Sequence, residues 1–230
     1  MKLRTLLFSS TAISALCVAP AFAADLPAKA PAPAALFNWS GFYVGANVGG
    51  LWGRSEVADD PSAAFGLVGP GSTNTPSGVI GGVQIGYNWQ AGNLVYGVEA
   101  DLNLASASQS VDLFPPGGFF HNSSLSGLAT LRGRIGIALS PTLLYVTGGA
   151  AYGWLKNEQV NIFTTATDRG NAWGWTLGAG IEHAFANRWS VKVEYLYTQF
   201  PDATVGDGFG YVFRFKDSYQ VVRGGINYRF

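Results

Sequence analysis

The last twelve residues, Tyr219 to Phe230, limit what this chain can fold into more than any other stretch. Phe230, Tyr228, Ile226, Gly224 and Val222 share one face of an extended segment, and Arg229, Asn227, Gly225 and Arg223 share the other. Side chains alternate across a strand with a period of two, so the segment reads as a β-strand with one apolar face and one charged face. A water-soluble sandwich would not hide two arginines while exposing Phe and Tyr. A transmembrane barrel does both, because lipid lies outside and a polar lumen inside. The strand ends on an aromatic residue, and closure onto the first strand would remove an exposed sheet edge. The expectation is a barrel that ends by closing itself.

Seven further segments alternate in the same way. Gly41–Trp52 sets Phe42, Val44, Ala46 and Val48 against Tyr43, Gly45, Asn47 and Gly49. Gly78–Gln90 sets Val83, Ile85, Tyr87 and Trp89 against Gln84 and Asn88. In Leu94–Leu104, Tyr96, Val98, Ala100 and Leu102 alternate with Gly97, Glu99, Asp101 and Asn103. Leu125–Ala138 sets Leu131, Ile135 and Ile137 against Thr130, Arg132 and Arg134. Leu143–Trp154 is glycine-rich and nearly apolar, so its facing is ambiguous. Trp173–Phe185 places Glu182 opposite Trp175, Leu177 and Ile181, and Trp189–Thr198 places Lys192 and Glu194 opposite Val191, Val193 and Tyr195. With the closing strand this predicts an all-β, eight-stranded antiparallel up-and-down transmembrane β-barrel spanning residues 39–230.

Connections alternate between short turns (Gln90–Asn93, Leu139–Thr142, Ala186–Arg188) and long loops (Gly53–Ser77, Ala105–Ser124, Leu155–Gly170, Gln199–Asp217). That is the outer-membrane pattern, with both termini on the turn side. Trp89, Trp189 and Phe230 fall near turns, and Trp52, Trp154, Trp173 and Tyr197 near loops, as two interfacial girdles require. A soluble eight-stranded barrel such as a lipocalin also alternates, but it would turn its charges outward and give no reason for aromatics to gather at strand ends.

The N-terminus agrees with export. Lys2 and Arg4 precede an apolar run from Leu6 to Val18, and Ala21-Phe22-Ala23 is an A-x-A site. Residues 1–23 therefore read as a signal peptide cut between Ala23 and Ala24. The apolar run is shorter than the roughly 20 residues that a helical anchor needs. The single cysteine, Cys17, lies inside this segment and follows Leu16, which is too large for a lipoprotein signal. The mature chain then has no disulfide. Residues 24–38 hold Pro27, Pro31 and Pro33 among alanines and read as a periplasmic linker. Basic and acidic residues balance at 14 each, and losing Lys2 and Arg4 leaves a net charge of −2, which excludes a nucleic-acid partner.

Several stretches resemble one family. Trp39-Ser40-Gly41-Phe42-Tyr43-Val44-Gly45-Ala46-Asn47, Gly86-Tyr87-Asn88-Trp89, Gly97-Val98-Glu99-Ala100-Asp101, Arg132-Gly133-Arg134-Ile135-Gly136, Val193-Glu194-Tyr195-Leu196-Tyr197 and the closing Tyr228-Arg229-Phe230 are similar to the RopB-type outer-membrane proteins of alpha-proteobacteria. The resemblance covers Trp39 to Phe230. It implies an OmpA-like eight-stranded barrel, inserted by an assembly machinery that reads a C-terminal aromatic, here Tyr228 and Phe230. It leaves activity open among porin, envelope-stabilising surface protein and haemin binder.

Candidate chemistry concentrates in the lumen. Glu99, Asp101, Glu182 and Glu194 face inward with Arg132, Arg134, Lys192 and Arg223, four acids against four bases. Eight strands enclose a space just wide enough for side chains to fill it, so these charges are expected to pair as a plug; an ion-selecting lining is the alternative. Catalysis would need a base. His183 falls on the lipid face near a turn, and His121 falls in a long loop beside Asn122, Ser123 and Ser124 with no orienting acid at a telling spacing. Neither Asp202 with Asp207 nor Glu56 with Asp59 and Asp60 has calcium-loop spacing. No catalytic residue, metal or cofactor is assigned. The aromatic loop Phe114–Phe120 could touch membrane, a partner or haem. The expected role is a structural, envelope-integrity and surface protein that is not an enzyme, in contact with outer-membrane lipid and lipopolysaccharide. The alternatives are a narrow porin and a haem or host-ligand receptor.

Overall fold

A computed structural model describes residues 37–59, 72–112, 119–161, 165–168, 170–186, 188–206 and 212–230. The signal segment with Ala23 and Ala24, and the linker up to residue 36, lie outside the described residues.

Eight long strands form the wall: β1 (Gly41–Asp59), β3 (Ser77–Ala91), β4 (Leu94–Asp112), β5 (Phe119–Leu139), β6 (Thr142–Asn161), β8 (Asn171–Ala184), β9 (Trp189–Gln199) and β11 (Val212–Arg229). Three short strands, β2 (Ser72–Asn74), β7 (Thr165–Asp168) and β10 (Ala203–Gly206), extend the ladder at the end that carries the long connections. Each wall strand pairs antiparallel with the next, and β11 returns to pair with β1 from Tyr43↔Arg229 to Asp59↔Phe213. The backbone N–H of Phe230 donates to the carbonyl of Phe42 at 3.1 Å, so the last residue is stitched to the first strand. The eight wall strands form a closed barrel.

The stagger can be followed around the wall. Val44 pairs with Ile85, then Ala100, Leu131, Ala150, Trp175, Gln199 and Ser218, and Ser218 pairs with Arg54. One circuit climbs from Val44 to Arg54, and this tilts the strands and sets the narrow bore.

The alternation holds throughout the middle of the wall. Val83, Leu102, Leu131, Val193 and Val222 are exposed on the outside, while Arg132, Lys192, Glu194 and Arg223 are buried inside. The strand whose facing was ambiguous, β6, turns Leu143, Tyr145 and Thr147 inward and Leu144 and Val146 outward. Its inner face also carries Gly149, where a Cβ would strike the Leu131 carbonyl and the Arg132 backbone of the neighbouring strand.

The long loops differ from expectation. The stretch Ala105–Ser124 is mostly ladder, because β4 runs to Asp112 and β5 starts at Phe119. Likewise β1 continues through Glu56 to Asp59, paired with Lys216 to Phe213. His121 therefore sits in β5, opposite Val111 and Gln159, rather than in a loop. Of the stretch Phe114–Phe120, Phe119 and Phe120 begin β5, and residues 114–118 lie outside the described residues, as do Asp60 and Asp207. The physical reason is that strands rising out of lipid no longer need an apolar outer face. Backbone pairing continues while the hydrophobic alternation stops.

Candidate functional site

The interior is layered. Along β9 the inward positions read Ser190, Lys192 and Glu194, then Leu196 and Thr198, with Phe200 buried just past the strand end. Along β4 they read Val95, then Glu99, Asp101 and Asn103, then Ala107. A charged layer thus lies between two apolar ones. Outer-membrane barrels keep short turns in the periplasm, so the turn end is the lower one.

The charged layer brings together all eight residues singled out from the sequence. Arg132 on β5 is its hub. Its guanidinium donates to Glu99, to Asp101 Oδ2 at 2.9 Å and to Glu194 Oε1 at 3.1 Å, and its Nε donates to Thr130 Oγ1 at 2.9 Å. Arg223 on β11 spans the bore between Glu194 Oε2 at 2.7 Å and Asp101 Oδ2 at 3.1 Å. Lys192 Nζ donates to both oxygens of Glu99 at 3.0 Å. Arg134 forms the lower part of the layer. Its Nη2 donates to Glu182 Oε2 at 2.8 Å, and its guanidinium lies over the Tyr145 ring at 4.5 Å.

Neutral groups complete the coordination of the carboxylates. Tyr43 Oη donates to Glu99 Oε2 at 2.7 Å, Tyr145 Oη to Glu194 Oε1 at 3.0 Å and Thr130 Oγ1 to Asp101 Oδ2 at 2.6 Å. Glu182 accepts from Ser190 Oγ at 2.6 Å and Asn227 Nδ2 at 2.9 Å. Asn227 continues through Gln84 to Asn47. Each of the four carboxylates meets at least one cation, as buried charges must. Trp39 Nε1, Arg134 Nε and Arg229 Nε are buried donors without a protein acceptor.

Sequence reasoning missed four features. Tyr43 and Tyr145 share the inward face with the charges; parity was an available signal for Tyr43, whereas Tyr145 lies in the segment whose facing was ambiguous. Arg229 was placed on the inward face but left out of the network. It donates from Nη1 to the Asn38 carbonyl at 2.8 Å and lies over the Trp39 ring at 4.7 Å. Trp39 was counted as the start of the wall. It is instead fully buried beneath the lumen, its backbone N–H donating to Gln90 Oε1 at 2.6 Å, in an apolar layer with Val95, Ala138, Leu143, Tyr145 and Ala184. Finally, the upper third of the lumen holds an apolar layer, beside which the buried Thr198 hydroxyl donates to Thr176 Oγ1 at 3.1 Å. Leu51, Ile80, Leu128, Leu196, Phe200 and Val221 form that layer. A bulge between Leu125 and Gly127, opposite the one between Leu104 and Ala107, shifts parity so that both Leu125 and Leu128 point inside.

The exterior supplies the other half of the geometry. Phe42, Tyr87, Trp89 and Tyr96 pack in a chain at the lower rim, with centroid separations of 4.7, 4.7 and 5.7 Å. Tyr152 contacts Trp154 and Trp173 at the upper rim, at 5.2 and 4.9 Å. His183 lies at the lower rim, exposed, 2.9 Å from Thr142 Oγ1.

A closed wall with an apolar outer band, aromatic rings at both rims and an ion-paired interior defines a transmembrane barrel of the outer-membrane class. The chain belongs to the outer membrane protein beta-barrel domain family, whose model matches residues 9–230. It is 34% identical to the 31 kDa outer-membrane immunogenic protein of Brucella melitensis, over 95% of this chain and 97% of that one. It is 31% identical to the 25 kDa outer-membrane immunogenic protein of Brucella abortus, over 92% of each. The 22 kDa outer membrane protein of Rhizobium leguminosarum bv. viciae is 32% identical over 71% of this chain and 65% of its own length. The crystal structure of OprG from Pseudomonas aeruginosa superposes with a TM-score of 0.52 at 12% identity, over 83% of this chain and 97% of OprG, a likeness of fold alone. The protein is an integral protein of the Gram-negative outer membrane.

Proposed function

We propose that this barrel is a structural component of the envelope surface, with a lumen closed to solutes and no catalytic role. The observation that carries the reading is the layered interior. Four carboxylates are shared among Arg132, Arg134, Lys192 and Arg223, with packed apolar layers above and below. Dissolving such a layer to admit water and ions would break several buried pairs at once, each costing about 3–5 kcal/mol. Residues 1–23 direct export and are removed by cleavage between Ala23 and Ala24. Insertion relies on the barrel-assembly machinery, with Tyr228 and the exposed Phe230 as the closing signal, and the mature surface contacts lipid and lipopolysaccharide.

Single-channel recording in planar bilayers tests the proposal. The expected result is small, infrequent conductance steps. Large, long-lived openings would overturn the closed lumen and establish the porin alternative. The receptor alternative drew on Phe114–Phe120, most of which lies outside the described residues, and no observed contact favours it.

A further inference from the structure

The closing seam becomes cationic just above the upper aromatic ring. On β1 the outward face runs from Phe42 to Trp52, both exposed. These ten residue-to-residue steps span roughly 34 Å along a strand at ~3.4 Å each. With the strand tilted by about 40°, they rise about 26 Å, against an apolar band of about 25 Å in such barrels. Arg54, the next outward position, stands about 5 Å higher and so falls at the level of lipid headgroups in the outer leaflet. Across the seam, Arg54 pairs in register with Ser218, and Glu56 pairs with Lys216.

Arg54 is well exposed, at 60% of its side chain, and its Nε donates to Glu56 Oε1 at 2.7 Å. Lys216, the register partner of Glu56 and so diagonal to Arg54, is also exposed. Two cations against one carboxylate leave the patch positive. At the same height, β3, β4 and β5 expose Ser77, Ser106, Ser108 and Ser126 instead. Among the described exposed side chains of the upper end, cations occur only at this seam.

We propose that Arg54 and Lys216 clamp a phosphate of a phosphorylated glycolipid in the outer leaflet, bridging the first and last strands of the barrel. Diagonal neighbours on paired strands lie roughly 7 Å apart, within reach of two long side chains for one tetrahedral anion. The Trp52 indole below suits the sugar–acyl boundary, where such rings settle. Because the bridge crosses the one joint between chain ends, lipid binding tightens the seam. This deepens the proposed contact with lipopolysaccharide by giving it a site.

The test uses the mature barrel refolded into phosphatidylcholine vesicles, in EDTA so that no divalent ion bridges Glu56 to lipid. Vesicles carry diphosphorylated lipid A, dephosphorylated lipid A or phosphatidylglycerol, and a further arm adds inorganic phosphate. Retained lipid is read by native mass spectrometry, and seam strength by the temperature at which the heat-modifiable folded band is lost. Diphosphorylated lipid A should bind and protect the wild type, and the other three additions should do so weakly or not at all. Arg54→Ser with Lys216→Ser should weaken binding about thirtyfold, or about fivefold per cation, in line with the attraction of one basic residue to an anionic surface. Arg188→Ser removes one cation at the lower rim, together with its bond to the Tyr228 hydroxyl, and should leave lipid retention unchanged. Arg54→Lys with Lys216→Arg should retain binding. If the double serine variant does not fold, the two single variants carry the fivefold losses. Equal lipid retention in wild type and serine variants overturns the clamp while leaving a contact with lipopolysaccharide intact. No protection of the wild type by lipid A overturns both. Protection by inorganic phosphate equal to that by lipid A, or an equal loss of lipid retention on Arg188→Ser, overturns the clamp.

Discussion

Arg132→Met would remove the hub of the charged layer while keeping most of its length. Arg132 is buried and serves Glu99, Asp101 and Glu194 at once. Removing one partner of a buried ion pair costs about 3–5 kcal/mol, because the remaining charge is left without compensation. Three such penalties do not add here, since every abandoned carboxylate keeps another partner. Glu99 retains Lys192 and Tyr43, Asp101 retains Arg223 and Thr130, and Glu194 retains Arg223 and Tyr145. The expected loss is therefore a single penalty, about 3–5 kcal/mol. Adding Glu99→Gln restores the balance of charge, with three acids facing three bases. The double variant should then be more stable than the sum of the single losses by about 1–3 kcal/mol, the range for residues sharing one network. Urea unfolding in lipid vesicles, followed by tryptophan fluorescence, measures all four corners of this cycle. A loss below about 1 kcal/mol for Arg132→Met, or additivity within about 0.5 kcal/mol, would refute the reasoning and mean that water already screens the layer.

Other substitutions separate the faces and layers. Leu102→Arg, exposed at mid-strand on β4, should cost about 2–4 kcal/mol in the same titration, as a charge does near the bilayer midplane. Gly149→Ala should destabilise by about 1–3 kcal/mol, since its methyl meets the Leu131 carbonyl. Gly133→Ala, with only the Gly148 carbonyl at 3.9 Å, should be nearly neutral. Trp39→Ala should cost about 3–5 kcal/mol and admit hydrogen exchange at the lower end first, because it empties the apolar floor.

The wall was legible because lipid and lumen impose opposite chemistry on alternate residues. Where that contrast is strong, as at Val98 and Glu99 or at Val193 and Glu194, parity alone placed the side chains. It failed where both faces share one character. On β6, glycine and aliphatic residues alternate with one another, and only neighbouring registers decide that Leu143 is inside and Leu144 outside. It failed again above the membrane, where Ser106 and Ser108 alternate with nothing that lipid would select. The upper apolar layer could have been found by extending parity, since Leu51 and Val221 continue the inward rows of Asn47 and Arg223. The pairing of Arg132 on β5 with Glu194 on β9 was not legible, because those strands are not neighbours. Their contact depends on the bore, which follows from the stagger of the whole circuit rather than from any local stretch.

The stagger in turn depends on the charged layer. Shifting one strand by a single residue exchanges its two faces. In β5 such a slip would carry Arg132 and Arg134 into lipid, at about 2–4 kcal/mol each near the midplane, and would leave Glu99 and Glu182 without those partners inside. In β9 it would do the same to Lys192 and Glu194. The apolar layers carry far less of this information. A slip that traded Leu196 for Tyr195 would place an acceptable side chain on either face. Packed hydrophobic residues of similar volume could fill the centre at equal or lower energy, but they would suit lipid as well as lumen and would leave neighbouring registers close in energy. The ion pairs at the centre thus act mainly against misregistered barrels, which is why the charges sit where the surrounding lipid is driest and an error is most costly.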